Sequence, residues 1–251
     1  MRIAALYDIH SNLPALNAVL AELEEVRPDL IVVGGDIIPG PMPRQTLERL
    51  RQLGDRVRAI RGNGDREVVA AYDGLPLASG MAEEVGEVTR WTAGQLEPSR
   101  RDFLAQLPEQ LTLYVEGLGN VLFCHATPRN DVEIFTPITP QERLNTIFSG
   151  VEAQMVVCGH THIQFERQSG RVRILNAGSV GMPYADRPGA YWLLLGPEGI
   201  AFRRTEYNTE TAAQQVRESG YPQAQEFADE NMLKVPTATE AMEYFEHMAG
   251  S

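Results

Sequence analysis

The feature that most constrains this chain is a recurring unit: a short apolar run that breaks into a polar turn and gives way to apolar residues at helical spacing. Arg2 to Tyr7 reads as a buried strand stopped by the polar cluster Asp8 to Asn12. Asn12 as cap and Pro14 in the first turn then open a helix whose face is Leu16, Val19, Leu20 and Leu23, closed by Pro28. Leu30 to Val33 repeats the strand and ends in Gly34-Gly35-Asp36; a helix follows over Pro43 to Leu53, closed by Gly54. Val57 to Ile60 gives a third strand, ending in Gly62-Asn63-Gly64-Asp65. Alternation of this kind predicts an α/β sheet with parallel strands, helices on its faces and polar loops gathered beyond the strand ends.

Farther along, 79–106 is expected to be helical with a break at Pro98, and Leu111 to Val115 with Val121 to Cys124 to form a hairpin that delivers His125. Thr139-Pro140-Gln141-Glu142 predicts a capped helix reaching about Ser149. Met155 to Cys158 then leads into Gly159-His160-Thr161-His162, and short runs from Gln164 predict antiparallel strands that finish near Tyr207. The expected division is one domain over 1–207 and a helical C-terminal extension over 208–251, packed on the same domain, for which packing, a lid or a dimer contact are the open roles.

Composition narrows the class of function. Lys and Arg number 22 against 34 Asp and Glu, a net charge of -12, so no nucleic-acid surface is indicated. The apolar run at the N-terminus is too short for a secretory leader, and no stretch approaches the roughly 20 apolar residues that cross a bilayer. The two cysteines, Cys124 and Cys158, are far apart and read as buried thiols in a reducing compartment. The expectation is a cytoplasmic protein without a membrane partner, with a homo-oligomer left open.

Of five histidines, His10, His125, His160 and His162 stand at or just beyond predicted strand ends; Asp8, Asp36 and Asn63 occupy the same kind of position. Singly, each has an ordinary explanation as a turn or a core residue. Together, donors on loops from five strands can face one cleft, and this predicts a metal site. Carboxylate, imidazole and amide donors without a thiolate suit manganese, iron, nickel or zinc better than calcium. They are too many for one tetrahedral zinc, whereas two ions sharing a carboxylate would use them all, the arrangement that hydrolyses phosphate esters.

These residues resemble the calcineurin-like metallophosphoesterase superfamily, whose motifs run Asp-x-His, Gly-Asp, Gly-Asn-x-Asp/Glu, His and Gly-His-x-His. The chain reads Asp8-Ile9-His10, Gly35-Asp36, Gly62-Asn63-Gly64-Asp65, His125 and Gly159-His160-Thr161-His162 in that order, and Asn176 to Gly181 is similar to the closing Asn-x-Gly-Ser segment. The likeness is strongest to the small bacterial and archaeal phosphodiesterase-like members. It implies a four-layer α/β/β/α sandwich with two mixed sheets. It also implies that Asp8, His10, Asp36 and His162 hold one metal, and that Asn63, His125, His160 and a bridging Asp36 hold the other. Asp36, Asn63 and His125 then carry catalysis, with manganese the first choice of metal. The implied activity is hydrolysis of a small phosphodiester by a hydroxide that bridges the two ions. The alternatives are a phosphomonoesterase or nucleotidase, and a nonhydrolytic metal-binding scaffold protein. Three further residues are weighed from the sequence: Asp65 as an acceptor behind a ligand or a solvated turn residue, Asn12 as a phosphate contact or a helix cap, and Arg129 as a phosphate contact or a solvated cation. One departure from the family pattern is Gly64, where many members carry a histidine that resembles a general acid. The turn after Asp36, Ile37 to Pro41, is unlike the Asp-Arg-Gly continuation of the protein serine/threonine phosphatases.

Overall fold

In a computed structural model that describes residues 1–250, the recurring unit becomes a parallel half-sheet. It comprises β1 (Ile3–Leu6), α1 (Leu13–Val26), β2 (Leu30–Gly34), α2 (Pro43–Arg51) and β3 (Val57–Ile60). Asn12 Oδ1 accepts from Ala15 N at 3.2 Å and caps α1, as its position before the apolar pattern predicts. A helix follows β3 immediately: α3 (Asn63–Tyr72). The sequence reading has no helix there, because Asn63-Gly64-Asp65 carries the residues of a turn. Asp65 supplies the missing start signal by accepting from Gly62 N at 3.0 Å.

The helical stretch expected over 79–106 is two helices, α4 (Glu83–Gly94) and α5 (Pro98–Ala105), since proline is well placed at a helix start and poorly placed inside one. The hairpin is β4 (Gln110–Val115) with β5 (Gly119–Cys124). Next come α6 (Gln141–Ile147), β6 (Met155–Cys158), β7 (Gln164–Ser169), β8 (Val172–Ala177), β9 (Ala190–Gly196) and β10 (Gly199–Thr205). Thr139 does not cap α6; its hydroxyl accepts from Thr136 N at 2.8 Å and meets Glu246. The tail forms α7 (Thr209–Arg217), α8 (Ala224–Ala228) and α9 (Ala238–Gly250).

Two mixed five-stranded sheets result, ordered β10-β9-β1-β2-β3 and β4-β5-β6-β8-β7. Their inner faces share one apolar layer in which Ile3, Ala5, Val32 and Leu193 meet Val121, Phe123, Val157 and Leu175. Tyr7 crosses it and donates to Val157 O at 2.8 Å, tying the sheets directly beneath the polar loops. The outer face of the first sheet is covered by Leu16, Val19, Leu20 and Leu23 of α1 with Leu47 and Leu50 of α2. The outer face of the second is covered by Leu144 and Ile147 of α6 and Ala241 of α9. The fold is thus a four-layer α/β/β/α sandwich. The tail divides: α7 and α8 pack against Val88 and Met42, whereas α9 joins the opposite layer. Among the described residues no helix is long and apolar enough to cross a membrane.

Candidate metal centre

The polar loops converge at one edge of the sandwich because the strands that feed them run parallel. β1 and β2 place Asp8 and Asp36 side by side, and the loops are then stitched by backbone bonds from Asp8 N to Gly35 O, His10 N to Asp36 O and Ser11 N to Ile37 O at 3.2, 3.0 and 2.9 Å. β5 and β6 deliver His125 and the Gly159–His162 loop, joined by Gly159 N to His125 O at 2.8 Å. Ser179 Oγ donates to Asp8 O at 2.7 Å, and Asn176 Nδ2 to Gly159 O at 2.7 Å, so the Asn176–Gly181 segment braces both sides. Turning the donors inward bends the backbone sharply. Asp8, His10, Asp36, His160 and His162 have φ of 52, 45, 47, 67 and 57°, in the left-handed region. Non-glycine residues held there cost on the order of 1–3 kcal/mol each and cluster at functional sites.

All seven expected donors come together, and their proton inventory is distinctive. His10, His125 and His162 each set Nδ1 against a backbone carbonyl: Pro39 O at 3.3 Å, Gly34 O at 3.0 Å and Met182 O at 2.8 Å. That bond places the proton on Nδ1 and turns the Nε2 lone pair toward the cluster. His10 Nε2 and His162 Nε2 lie 3.2 Å apart. Asp8 Oδ1, buried and without a hydrogen-bond partner, lies 3.4 Å from His162 Nε2 and 3.9 Å from His125 Nε2. Asp36 sends Oδ2 to within 3.7 Å of His10 Nε2 and Oδ1 to within 3.6 Å of His125 Nε2. The Asn63 amide faces His125 Nε2 at 3.0 Å and His160 Nδ1 at 3.1 Å. With its NH2 inward this amide donates to them; with its oxygen inward it completes a set of acceptors that only a cation satisfies. The donor set therefore fits divalent metal.

Burial governs the charge states. It pushes the Asp8 and Asp36 carboxyls upward, against the pull of nearby imidazoles. It pulls His10 and His162 down to about 4, and His160 well below the usual imidazole value. These rings are neutral lone-pair donors at physiological pH. The His162 ring also stacks on Tyr184, at 5.3 Å and 25° between planes.

The remaining sequence candidates fall differently. Asp65 is buried and does not bond His125; its Oδ2 accepts from Gly62 N at 3.0 Å and its Oδ1 from Ile38 N at 3.1 Å, so it ties the Asn63 turn to the Asp36 turn. Asn12 is buried, with Oδ1 on the helix cap and Nδ2 donating to Gly181 O at 2.9 Å, which leaves it engaged with backbone. Arg129 pairs with Glu133 and lines a cavity that His125 also reaches. Arg61, Arg66 and Asp131 line the same cavity and carry no sequence signal beyond charge. At Gly64 a Cβ would come within 2.7 Å of Pro39 Cδ, 2.8 Å of Ile38 O and 3.0 Å of Asp36 Oδ1, so the backbone turn occupies the space a side chain would need. Its N–H donates to Asp36 Oδ1 at 2.7 Å.

The sequence and the fold are similar to those of known proteins. A model of the calcineurin-like phosphoesterase superfamily domain matches residues 1–195. An uncharacterized protein of Methanocaldococcus jannaschii is 26% identical over 240 residues, covering 88% of this chain and 94% of its own. Phosphodiesterase YfcE of Escherichia coli is 25% identical over 205 residues, covering 77% and 87%. Among solved structures, a metallophosphoesterase from Sphaerobacter thermophilus is similar with a TM-score of 0.73 and 26% identity, covering 94% of this chain and 100% of its own. A hypothetical protein from Pyrococcus horikoshii OT3 shares the fold with a TM-score of 0.80 at 21% identity, covering 94% and 99%.

Proposed function

This chain belongs to the calcineurin-like phosphoesterase superfamily, a family of metal-dependent hydrolases, and from that premise we propose that it is a phosphodiesterase acting on a small phosphodiester. The observation that carries the reading is the convergence of the His10 and His162 Nε2 lone pairs on the unpartnered Asp8 Oδ1. Similarity to phosphodiesterase YfcE over 77% of the chain supports the diester over the monoester.

In this reading Asp8, His10, Asp36 and His162 hold one ion, and Asp36, Asn63, His125 and His160 the other. Asp8 lies within reach of both groups of donors, but its Oδ2 accepts from His160 N at 2.9 Å and leaves one oxygen free. Asp36 presents one oxygen toward His10 and the other toward His125, which supports Asp36 as the bridge. Divalent ions held by these residues would supply Lewis acidity and lower the pKa of water for hydrolysis of the ester. The residues of the chain do the rest: carbonyl-anchored Nδ1–H groups fix the imidazole orientations, Gly64 N–H orients the Asp36 carboxylate, and the Asn176–Gly181 segment holds the Asp8 and His160 loops in register. Manganese and a cytoplasmic setting belong to the same proposal; mixed O and N donors favour the metal, and two buried free thiols suit the compartment.

The experiment is hydrolysis of bis-p-nitrophenyl phosphate by metal-stripped protein resupplied with manganese, iron, nickel or zinc, with p-nitrophenyl phosphate as comparison. Turnover that requires metal and favours the diester is expected. No turnover with any of the four metals overturns the enzymatic reading, and preference for the monoester overturns the diester assignment.

A further inference from the structure

In a chain with 22 basic residues and a net charge of -12, three arginines meet at one cavity beside the metal centre. The cavity holds about 150 Å3, and Arg61, Arg66 and Arg129 line it together with His125. Arg61 follows β3, Arg66 lies in the first turn of α3, and Arg129 lies in the loop after β5. These are the segments that deliver Asn63 and His125, so the cavity adjoins the candidate position for the second ion.

The three guanidiniums are differently engaged. Each guanidinium nitrogen of Arg66 is engaged: Nε and Nη2 grip Asp131 at 2.8 and 3.1 Å, and Nη1 meets Glu67 at 2.5 Å. It neutralises Asp131 and clamps α3 to the loop after β5. Arg61 is not saturated. Its Nη2 meets Glu109 at 2.8 Å, but that carboxylate is 75% exposed, and its Nε is buried with no partner among the described residues. An exposed ion pair is weak, and a buried donor without an acceptor is rare in folded proteins. Arg129, 47% exposed, holds Glu133 through both Nε, at 2.9 Å, and Nη2. The acidic groups on the cavity wall are Glu109 and Asp131. With Asp131 held by Arg66, the wall keeps the positive charge of Arg61, whose carboxylate partner Glu109 is exposed and displaceable, and the Arg129 Nη1 that the Glu133 pair leaves over.

We infer that this cavity binds a second phosphoryl group of the substrate, carried on the same molecule as the ester that is cleaved. A guanidinium fork matches phosphate oxygens and discriminates by charge. Arg61 and Arg129 are then the specificity-determining residues and Arg66 a positioning residue. The inference rests on the phosphodiesterase reading, because it places the second group relative to a phosphoester held at the metal centre.

The test compares KM for diadenosine tetraphosphate, which carries additional phosphoryl groups, with KM for bis-p-nitrophenyl phosphate, which has one, in the manganese-loaded full chain. Arg61→Gln should raise the first KM about tenfold more than the second, the factor expected when one charge-assisted hydrogen bond is lost. Arg129→Gln should act in the same direction. Equal changes for both substrates, or none, overturn the inference. A dinucleotide with and without a 5′-phosphate tells whether the second group is reached through an anhydride or across a nucleotide: selective weakening by Arg61→Gln in either series supports the subsite. Failure to hydrolyse any of these substrates overturns the phosphodiesterase reading instead. The subsite then answers to calorimetry of tripolyphosphate with metal-free protein. Arg61→Gln should weaken that binding about tenfold; absent binding, or binding indifferent to the substitution, overturns it.

Discussion

Asp8 Oδ1 lies 3.4 Å from His162 Nε2, and because His162 Nδ1 faces Met182 O at 2.8 Å the imidazole sets its Nε2 lone pair toward the carboxyl. Two buried acceptors in such contact repel unless a proton on the carboxyl or a metal ion joins them. The relationship extends to His10 Nε2, 3.2 Å from His162 Nε2, and a divalent ion placed among these lone pairs would relieve both contacts.

If Asp36 is the bridge, Asp36→Asn removes charge from both positions. Metal content measured on purified protein should fall together with diesterase activity, the latter on the order of 100-fold. A variant that keeps both would sink the bridging assignment.

Metal binding should release protons in acidic solution. Burial raises the pKa of Asp8 and Asp36 above the ordinary carboxylate range, so at a pH between that range and their raised values the metal-free protein holds protons there that an ion must expel. His10 and His162, depressed to about 4, are already neutral and release none. Titration calorimetry in buffers of different ionisation enthalpy should show release at pH 6 that declines toward pH 8. Heats independent of buffer at pH 6 would contradict this. In metal-free protein the same carboxylates favour the folded state only while protonated, so their stabilisation is present at low pH and is lost as pH rises through the raised values. The depressed imidazoles act oppositely, adding stability as pH rises from about 4 toward the unfolded imidazole value.

Gly64 is enforced by space. Gly64→His must push Pro39 or Asp36 aside, since its Cβ would sit 2.7 Å from Pro39 Cδ and 3.0 Å from Asp36 Oδ1. Destabilisation of about 1–3 kcal/mol with loss of metal is expected, without gain of activity on poor leaving groups. The wild-type protein, lacking an acid at this position, should strongly prefer p-nitrophenyl over alkyl leaving groups. A faster, equally stable histidine variant would refute the steric account.

Asp65 serves the backbone. Asp65→Ala leaves Gly62 N and Ile38 N without their acceptor, at a cost of about 2 kcal/mol. For a chain of this size that lowers the melting temperature by roughly 4–8 °C. An unchanged melting temperature would show that water replaces the carboxylate.

Strand ends, their succession along the chain, and the polar residues that stand just beyond them were legible in the sequence because each rests on a local pattern: an apolar run, a turn residue, a carboxylate, amide or imidazole after it. Helix α3 was hidden because its start signal, Asp65 reaching back to Gly62, sits among residues that otherwise spell a turn. Asn12 met its simpler reading as a cap, while Arg61 and Arg66 carried nothing in sequence to separate them from other surface cations.

What the sequence by itself determined is which side chains stand where a parallel sheet ends, since strand and helix periodicity are properties of neighbouring residues. What only the tertiary structure decided is how those side chains face one another. The left-handed backbone at Asp8, His10, Asp36, His160 and His162, the carbonyls that fix the Nδ1 protons of His10, His125 and His162, the space closed at Gly64 and the clamp of Arg66 on Asp131 all depend on segments remote along the chain. Lone-pair direction and exclusion of a side chain arise from those long-range contacts, and no local pattern encodes them.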